Sequence, residues 1–352
     1  MLRRAGKYDY TVTTKGAEIL IPNPYPLTPD PAGKYDYTVT SGLGCHPGTS
    51  LAGIHIKHSV RSLLGVLPEL VKIKITVLVS LTTGLGWILA ADSISLSFLW
   101  AVAGIFLLAC GSAALNQYQE QNTDLLMDRT KNRPIPSGRI SRNRALWISL
   151  SLLAIGSAIL LAKTNIGTLV VGLLTFYWYN GVYTPLKKIT ALAIIPGSLV
   201  GALPPLAGWL AAGGNIFDIK IAYIAFYFFV WQIPHFWLLL LIYGEDFRKG
   251  GFPVLTQVYS SAFIRRATFT LLVLTLLIGS AMPLIGVSIY FASSVMIVGA
   301  SLIMFFVSVN FVKIKEPSRK DILRTFIAIN LYTLALISIL SADKLLHLLF
   351  NI

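Results

Sequence analysis

Between Asn116 and Arg133 the chain reads NQYQEQNTDLLMDRTKNR, in which four oxygen-bearing side chains, Asn116, Glu120, Asp124 and Asp128, recur at every fourth residue. On a helix the positions i, i+4, i+8 and i+12 fall on nearly one face, so three carboxyl groups and an amide stand in a row. Like charges at that spacing cannot all stay ionised unless a cation sits among them. An all-oxygen donor set suits a hard ion such as Mg²⁺, which keeps several waters and bridges to phosphate oxygens. Arg129, Lys131 and Arg133 follow at once and offer fixed positive charge to an anion. Carboxylates for a metal and then cations for phosphate are what a diphosphate site requires. The plainer reading is a solvated helix end of mixed charge. The functional one is preferred because the row follows directly on the apolar run from Leu96 to Leu115, and ionisable groups at such a depth are functional by default.

Composition indicates what positions this row. Hydrophobic residues make up 55% of 352 positions, charged ones only 12%, and mean hydropathy is +0.70, the profile of an integral membrane protein. Apolar runs long enough to cross a bilayer occur at approximately 75–91, 95–117, 145–162, 166–184, 190–212, 219–242, 267–285, 287–312 and 323–340, so the expected fold is all-α with nine transmembrane helices. Interior prolines such as Pro196, Pro204, Pro205 and Pro234 are tolerated where neighbouring helices satisfy the freed backbone groups. Basic residues crowd the connections after the second, fourth, sixth and eighth runs, whereas the opposite side holds only Lys163, Lys220 and Lys344. The positive-inside rule therefore puts the N-terminus and the basic loops on the cytoplasmic side or its organellar equivalent. The net charge of +14 then reflects topology and phosphate affinity, and no basic stripe interleaved with aromatics on a soluble domain supports nucleic-acid binding. Cys45 and Cys110 form no close-spaced redox or metal motif, and no structural disulfide is expected.

Residues 1–65 differ from the remainder, 66–352. They carry AGKYDYTVT at 5–13 and again at 32–40, separated by a proline-rich piece. Two copies are too few for a solenoid. The segment lacks the apolar core of a secretory signal, and Asp9, Glu18, Asp30 and Asp36 argue against a mitochondrial transit peptide. A flexible extension without catalytic role is expected. His46, His55 and His58 have irregular spacing and no carboxylate partners, which disfavours a metal site there.

Two more polar clusters fall on the same membrane face as the acidic row. YTPLKKIT, residues 183–190, places Lys187 and Lys188 just past the fourth run, where paired lysines also serve as simple topological anchors. WQIPHFWLLLLIYGEDFRKGGFPVL, residues 231–255, places His235 inside an apolar helix and Asp246 eleven residues later. A histidine within a bilayer more often faces a cavity or the bundle interior than lipid.

These motifs together, the N-x-x-x-E-x-x-x-D row running into DRTKNRP, then YTPLKKIT, PGSLVGALPPLAGW, WQIPHF, EDF and GGFPVL, resemble the protoheme IX farnesyltransferase (heme o synthase) branch of the UbiA-type intramembrane prenyltransferases. The resemblance runs in order from about Pro68 to the C-terminus. It implies a nine-helix bundle around a central cavity, Mg²⁺-dependent use of farnesyl diphosphate, and transfer of the farnesyl group to a vinyl of heme b, giving heme o for heme-copper oxidase assembly. By that resemblance Asn116, Glu120 and Asp124 hold the metal. Arg129, Lys131, Arg133, Lys187 and Lys188 compensate leaving-group charge, and Asp128 assists or caps the row. Asp246 and Tyr183 contact substrate, Tyr118, Tyr177 and Phe236 join Tyr183 as candidate aromatic neighbours of the allylic cation, and His235 contacts the porphyrin. The lipid bilayer and a downstream heme a synthase are the implied partners. The implied site is the cytoplasmic inner membrane, with the mitochondrial inner membrane as the alternative.

The sequence departs from the wider superfamily at Glu120, where Asp is usual, and in having only Glu245 and Asp246 in place of a second D-x-x-x-D motif. A related polyprenyltransferase acting on an aromatic quinone precursor is the alternative enzyme, against which RTKNRP and WQIPHF weigh. A secondary transporter would place ionisable residues near mid-bilayer in two repeated halves, whereas here they gather at one face.

Overall fold

The computed structural model describes residues 9–14, 17–22 and 65–350. The chain divides into two compact units, Met1–Gly53 and Ile54–Ile352. In the first, β1 (Asp9–Thr14) and β2 (Ala17–Pro22) pair antiparallel, with Thr14 opposite Ala17 and Asp9 opposite Pro22. The alternation of Tyr10 and Val12 with threonines is a strand pattern. The second repeat copy and His46, His55 and His58 lie outside the described residues.

The second unit is all-helical over the described residues. After a helical turn at residues 65–70 come α1 (Ile73–Ala90), α2 (Ser97–Leu126), α3 (Arg142–Lys163) and α4 (Ile166–Tyr177). These are followed by α5 (Leu199–Ala211), α6 (Ile219–Lys249), α7 (Ser261–Ser280), α8 (Phe291–Lys313) and α9 (Arg319–Phe350). Eight helices among the described residues are long and apolar enough to cross a membrane. The expected fourth span differs in kind. α4 runs into a π-helical segment, Trp178–Tyr183, and then Thr184–Leu186, so the helical path is continuous but irregular. Pro185 has no N–H to return to the preceding turn, and the Thr184 hydroxyl joins its own backbone N–H in donating to the Tyr179 carbonyl, at 2.9 Å for the hydroxyl.

The packing follows membrane rules. Large apolar side chains such as Leu99, Trp147, Phe291 and Phe306 are exposed on the outside, where lipid rather than water meets them. Small residues let the backbones approach, because lipid removes the hydrophobic drive between helices. A Cβ on Gly86 would lie 1.9 Å from the Pro205 carbonyl oxygen, and one on Gly208 would lie 1.8 Å from that of Thr83, which locks α1 to α5. The Ser149 hydroxyl donates to the Gly111 carbonyl at 2.7 Å between α3 and α2.

Helix length explains where the acidic row sits. About 20 residues cross the hydrocarbon of a bilayer, and α2 has 30. Counted from Ser97, the crossing ends near Asn116, and the rest of α2 projects beyond it. α6, with 31 residues, overshoots on the same side and bends at Tyr243, whose φ of −120° and ψ of 17° are not helical. The basic connections gather at this end: Arg265 donates to the Lys315 carbonyl, and Lys249 pairs with Asp128. At the opposite end, buried Asp343 accepts from the backbone N–H groups of Ile289 and Tyr290 at 2.6 and 3.0 Å, fastening α9 to the α7–α8 connection.

Candidate functional site

Asn116, Glu120 and Asp124 stand on one buried face of α2, with 1%, 3% and 0% of their surface exposed. The three-membered row is therefore as the spacing requires, but it stops there. α2 ends at Leu126, and Asp128 turns outward, where it pairs with Lys131 at 2.8 Å and Lys249 at 2.5 Å. Those two ammonium groups, Lys131 first, hold the Asp128 carboxyl down to about 2. Asp128 and Lys131 thus satisfy each other at the surface, apart from the buried row.

Each buried member of the row is held by a cation from a different element. Lys187, just past the π segment, places Nζ 2.5 Å from Glu120 Oε1. Arg133, in the α2–α3 connection, donates through Nη1 to both oxygens of Asp124 at 2.8 and 2.9 Å. Lys72, on the turn before α1, donates through Nζ to Asn116 Oδ1 at 2.7 Å, and Asn116 Nδ2 donates in turn to the Thr184 hydroxyl at 3.2 Å. Burial, and next the charge of Arg133, draw the Lys72 ammonium down to about 7. An anion among these three cations would reverse that shift.

Lys72 is the residue that sequence reasoning misses. It is one of two lysines, with Lys74, at the mouth of an apolar run, and its backbone is left-handed at φ 52°, a conformation no pattern of residue types announces. What aims it is visible only in three dimensions: Gln117 of α2 donates to the Glu69 and Leu70 carbonyls at 2.8 and 3.0 Å. Gln119 anchors the other flank, donating to the Asn180 carbonyl at 3.1 Å, and Asn180 donates to the Ser112 hydroxyl at 2.6 Å. The π segment, which positions Lys187, is thus tied to α2 directly.

Aromatic rings wall the site toward the membrane. Lys187 Nζ lies 5.5 Å from the ring centroids of both Tyr183 and Phe252. Tyr183 stacks on Tyr179 at 5.8 Å and meets Phe236 at 6.1 Å. Phe236 in turn meets His235 at 5.6 Å, and His235 packs between Trp231 and Phe326, each at 4.8 Å. Near it, Trp231 Nε1, Gln232 Oε1 and His235 Nδ1 are buried with no hydrogen-bond partner among the described residues. Gly251, at φ 76°, needs its lack of a side chain in the turn that delivers Phe252. Tyr179 and Phe252 were not among the expected aromatics. Of those that were, Tyr177 is exposed and Tyr118 is occupied by Arg142, whose guanidinium lies 4.6 Å from the ring centroid.

The remaining expected residues make other contacts. Asp246 accepts from the backbone N–H groups of Asp128 and Arg129 at 2.7 and 3.1 Å, so it fastens the connection that carries Arg133 to α6. Arg129 lies over the rings of Tyr243 and Phe247 at 5.1 and 5.7 Å. Glu245 pairs with Arg248 on the surface, and Lys188 is exposed. No group of three His, Cys, Asp or Glu side chains suited to a metal occurs among the described residues. The donor set is instead two carboxylates and an amide, which suits an ion that completes its shell with water and phosphate oxygens.

The comparisons agree with this architecture. The profile of the UbiA prenyltransferase family matches residues 77–334. Among curated relatives, protoheme IX farnesyltransferase of Oleidesulfovibrio alaskensis is 36% identical over 186 residues, covering 53% of this chain and 66% of the relative. That of Geobacter sulfurreducens is 43% identical over 159 residues, 45% of this chain and 58% of the relative. The mitochondrial protoheme IX farnesyltransferase of Arabidopsis thaliana is 39% identical over 193 residues, 53% of this chain and 44% of the relative. The chain thus spans less than two thirds of the length of these relatives. Among solved structures, a digeranylgeranylglyceryl phosphate synthase shares the fold at a TM-score of 0.66 and 16% identity, over 82% of this chain and 99% of that one. A UbiA homolog from Archaeoglobus fulgidus bound to GPP and Mg²⁺ does so at a TM-score of 0.58 and 18% identity, over 78% and 99%. With the family profile matched over residues 77–334, most of the helical bundle, the chain belongs to the UbiA prenyltransferase family.

Proposed function

We propose that this multi-pass membrane protein transfers the farnesyl group of farnesyl diphosphate to a vinyl of protoheme IX: the C–O bond to diphosphate breaks, a C–C bond to the vinyl forms, and water adds to the cation left on the former vinyl, giving the hydroxylated side chain of heme o. The observation that carries the reading is the buried row Asn116, Glu120 and Asp124, matched one to one by Lys72, Lys187 and Arg133. Two carboxylates, an amide and three cations at a membrane face fit a metal–diphosphate pair and little else. The choice of heme rests on the relatives, which carry the name protoheme IX farnesyltransferase, and the use of a metal on the family neighbour bound to GPP and Mg²⁺.

In this reading Asn116, Glu120 and Asp124 hold Mg²⁺, which supplies Lewis-acid neutralisation of the leaving diphosphate. Lys187 and Arg133 take phosphate oxygens and stabilise charge that grows as the C–O bond breaks, the electrostatic contribution that commonly dominates such reactions. Tyr179, Tyr183 and Phe236 offer π-faces to the developing allylic charge and exclude water that would quench it. The unpartnered polar atoms of Trp231, Gln232 and His235 lie one aromatic layer deeper, where an acceptor with both apolar and polar edges would satisfy them. The basic end, with Lys187 and Arg133, faces the cytoplasm of a bacterial inner membrane or the matrix of a mitochondrion, and the N-terminus lies on that side. A downstream heme a synthase would consume the product.

Membranes carrying the protein, supplied with Mg²⁺, farnesyl diphosphate and either heme b or an aromatic quinone precursor, test the reading by mass spectrometry. Farnesylated heme is expected. A prenylated phenol with heme unchanged would move the protein to the quinone branch.

A further inference from the structure

Three basic side chains hold the row, and sequence reasoning singles out Lys187 and Arg133 but not Lys72. Lys72 is set apart from an ordinary topological lysine by three observations. Its neighbour Lys74 is exposed, as a residue anchoring the bilayer face would be, whereas Lys72 turns inward and donates to Asn116 Oδ1 at 2.7 Å. It holds a left-handed backbone at φ 52°, the only positive φ at a non-glycine among the described residues, and such a conformation persists in an L residue only where its surroundings impose it. Those surroundings are the Gln117 hydrogen bonds to the Glu69 and Leu70 carbonyls, which come from the same helix as the row itself.

The pairing has a further consequence. Lys72 holds Asn116, Lys187 holds Glu120 and Arg133 holds Asp124, so each oxygen donor faces one cation and each cation faces one donor. A divalent cation arriving alone meets three basic side chains and donors already engaged. A diphosphate arriving alone meets two carboxylates and cations already engaged. When both arrive, phosphate oxygens take the cations and the metal takes the carboxylates, so each ligand removes what opposes the other. We propose that Lys72 is a third diphosphate-binding cation, and that the one-to-one pairing makes metal and diphosphate binding strongly cooperative. The inference rests on the metal–diphosphate reading of the site and adds a residue and a coupling to it. Coupling of this kind is reciprocal: whatever factor diphosphate adds to metal affinity, metal adds to diphosphate affinity.

The test is a binding measurement on the full chain in detergent. Free Mn²⁺ is followed by electron paramagnetic resonance, with and without farnesyl thiolodiphosphate as the non-transferring ligand. In the wild type the analogue should raise Mn²⁺ affinity by about tenfold or more, the scale of one charge-assisted hydrogen bond. Lys72→Asn suits the left-handed backbone but does not reach the row. It should bind Mn²⁺ alone more tightly and the analogue more weakly, so that the coupling factor shrinks. Lys72→Arg should keep most of the coupling. A role confined to the backbone turn would not move the two affinities in opposite directions. If Lys72→Asn melts as the wild type does and keeps both its Mn²⁺ affinity and its coupling, the proposal is overturned. Should Lys72→Asn not fold, Lys72→Gln carries the same two expectations. Wild-type protein that binds neither Mn²⁺ nor the analogue would instead remove the diphosphate reading itself.

Discussion

Asp124 and Asp128 lie four residues apart with opposite fates, one fully buried against Arg133 and the other on the surface between two lysines. Asp124→Asn keeps the shape and removes the charge, so turnover should fall by about a hundredfold or more, as when one charge-stabilising group is lost from an active site. Asp128→Asn should leave turnover near wild type. Farnesyl transfer by membranes with equal amounts of each variant checks the pair, and equal losses would return Asp128 to the site. Lys187 and His235 divide the two substrates in the same way, because one pairs with Glu120 and the other packs between Trp231 and Phe326. Lys187→Ala should weaken binding of a farnesyl diphosphate analogue by about tenfold or more and make it more sensitive to salt. His235→Ala should reduce heme binding or turnover and leave analogue affinity unchanged. Separate titrations decide this, and a His235 variant that binds heme normally but loses the analogue would contradict the assignment. The row was legible because a four-residue period is written in the sequence. Lys72 was not, because its direction comes from Gln117 and a left-handed turn, neither of which has a sequence period.

At the scale of elements, the loop that carries Arg133 depends on α6. Asp246 accepts two backbone N–H groups from that loop, and Asp246→Ala leaves both without their partner. The variant should show a raised KM for farnesyl diphosphate and faster proteolysis within residues 127–141. Proteolysis at the wild-type rate would show that the loop is held by its other contacts alone. The close approach of α1 to α5 yields a stability prediction. Gly86→Leu forces side-chain atoms onto the Pro205 carbonyl, and overpacking of this kind costs about 1–3 kcal/mol, visible as a lower melting temperature in detergent. Spans were readable from hydropathy, yet their ends were not. The expected 219–242 and 323–340 are Ile219–Lys249 and Arg319–Phe350, because backbone hydrogen bonding continues where charged residues end the apolar run. The π segment escaped for a related reason: hydropathy registers the apolar stretch around Pro185 but not the missing N–H.

At the scale of the whole molecule, α2 and α6 both run past the bilayer on one side, and the basic connections collect there. This places the charged chemistry in the interface and the aromatic wall beneath it. Every group described in that arrangement lies within residues 66–350, so a chain beginning at Val66 should insert and retain activity. Full membrane abundance with no activity would show that the N-terminal unit takes part. In the proposed function the buried row performs metal-dependent farnesyl transfer to heme. Its most direct measurement is mass spectrometry of the heme extracted from membranes given farnesyl diphosphate and heme b, for wild type with Mg²⁺, wild type with EDTA, and Asp124→Asn with Mg²⁺. Farnesylated heme is expected in the first sample alone. Farnesylated heme at equal yield in all three would contradict it.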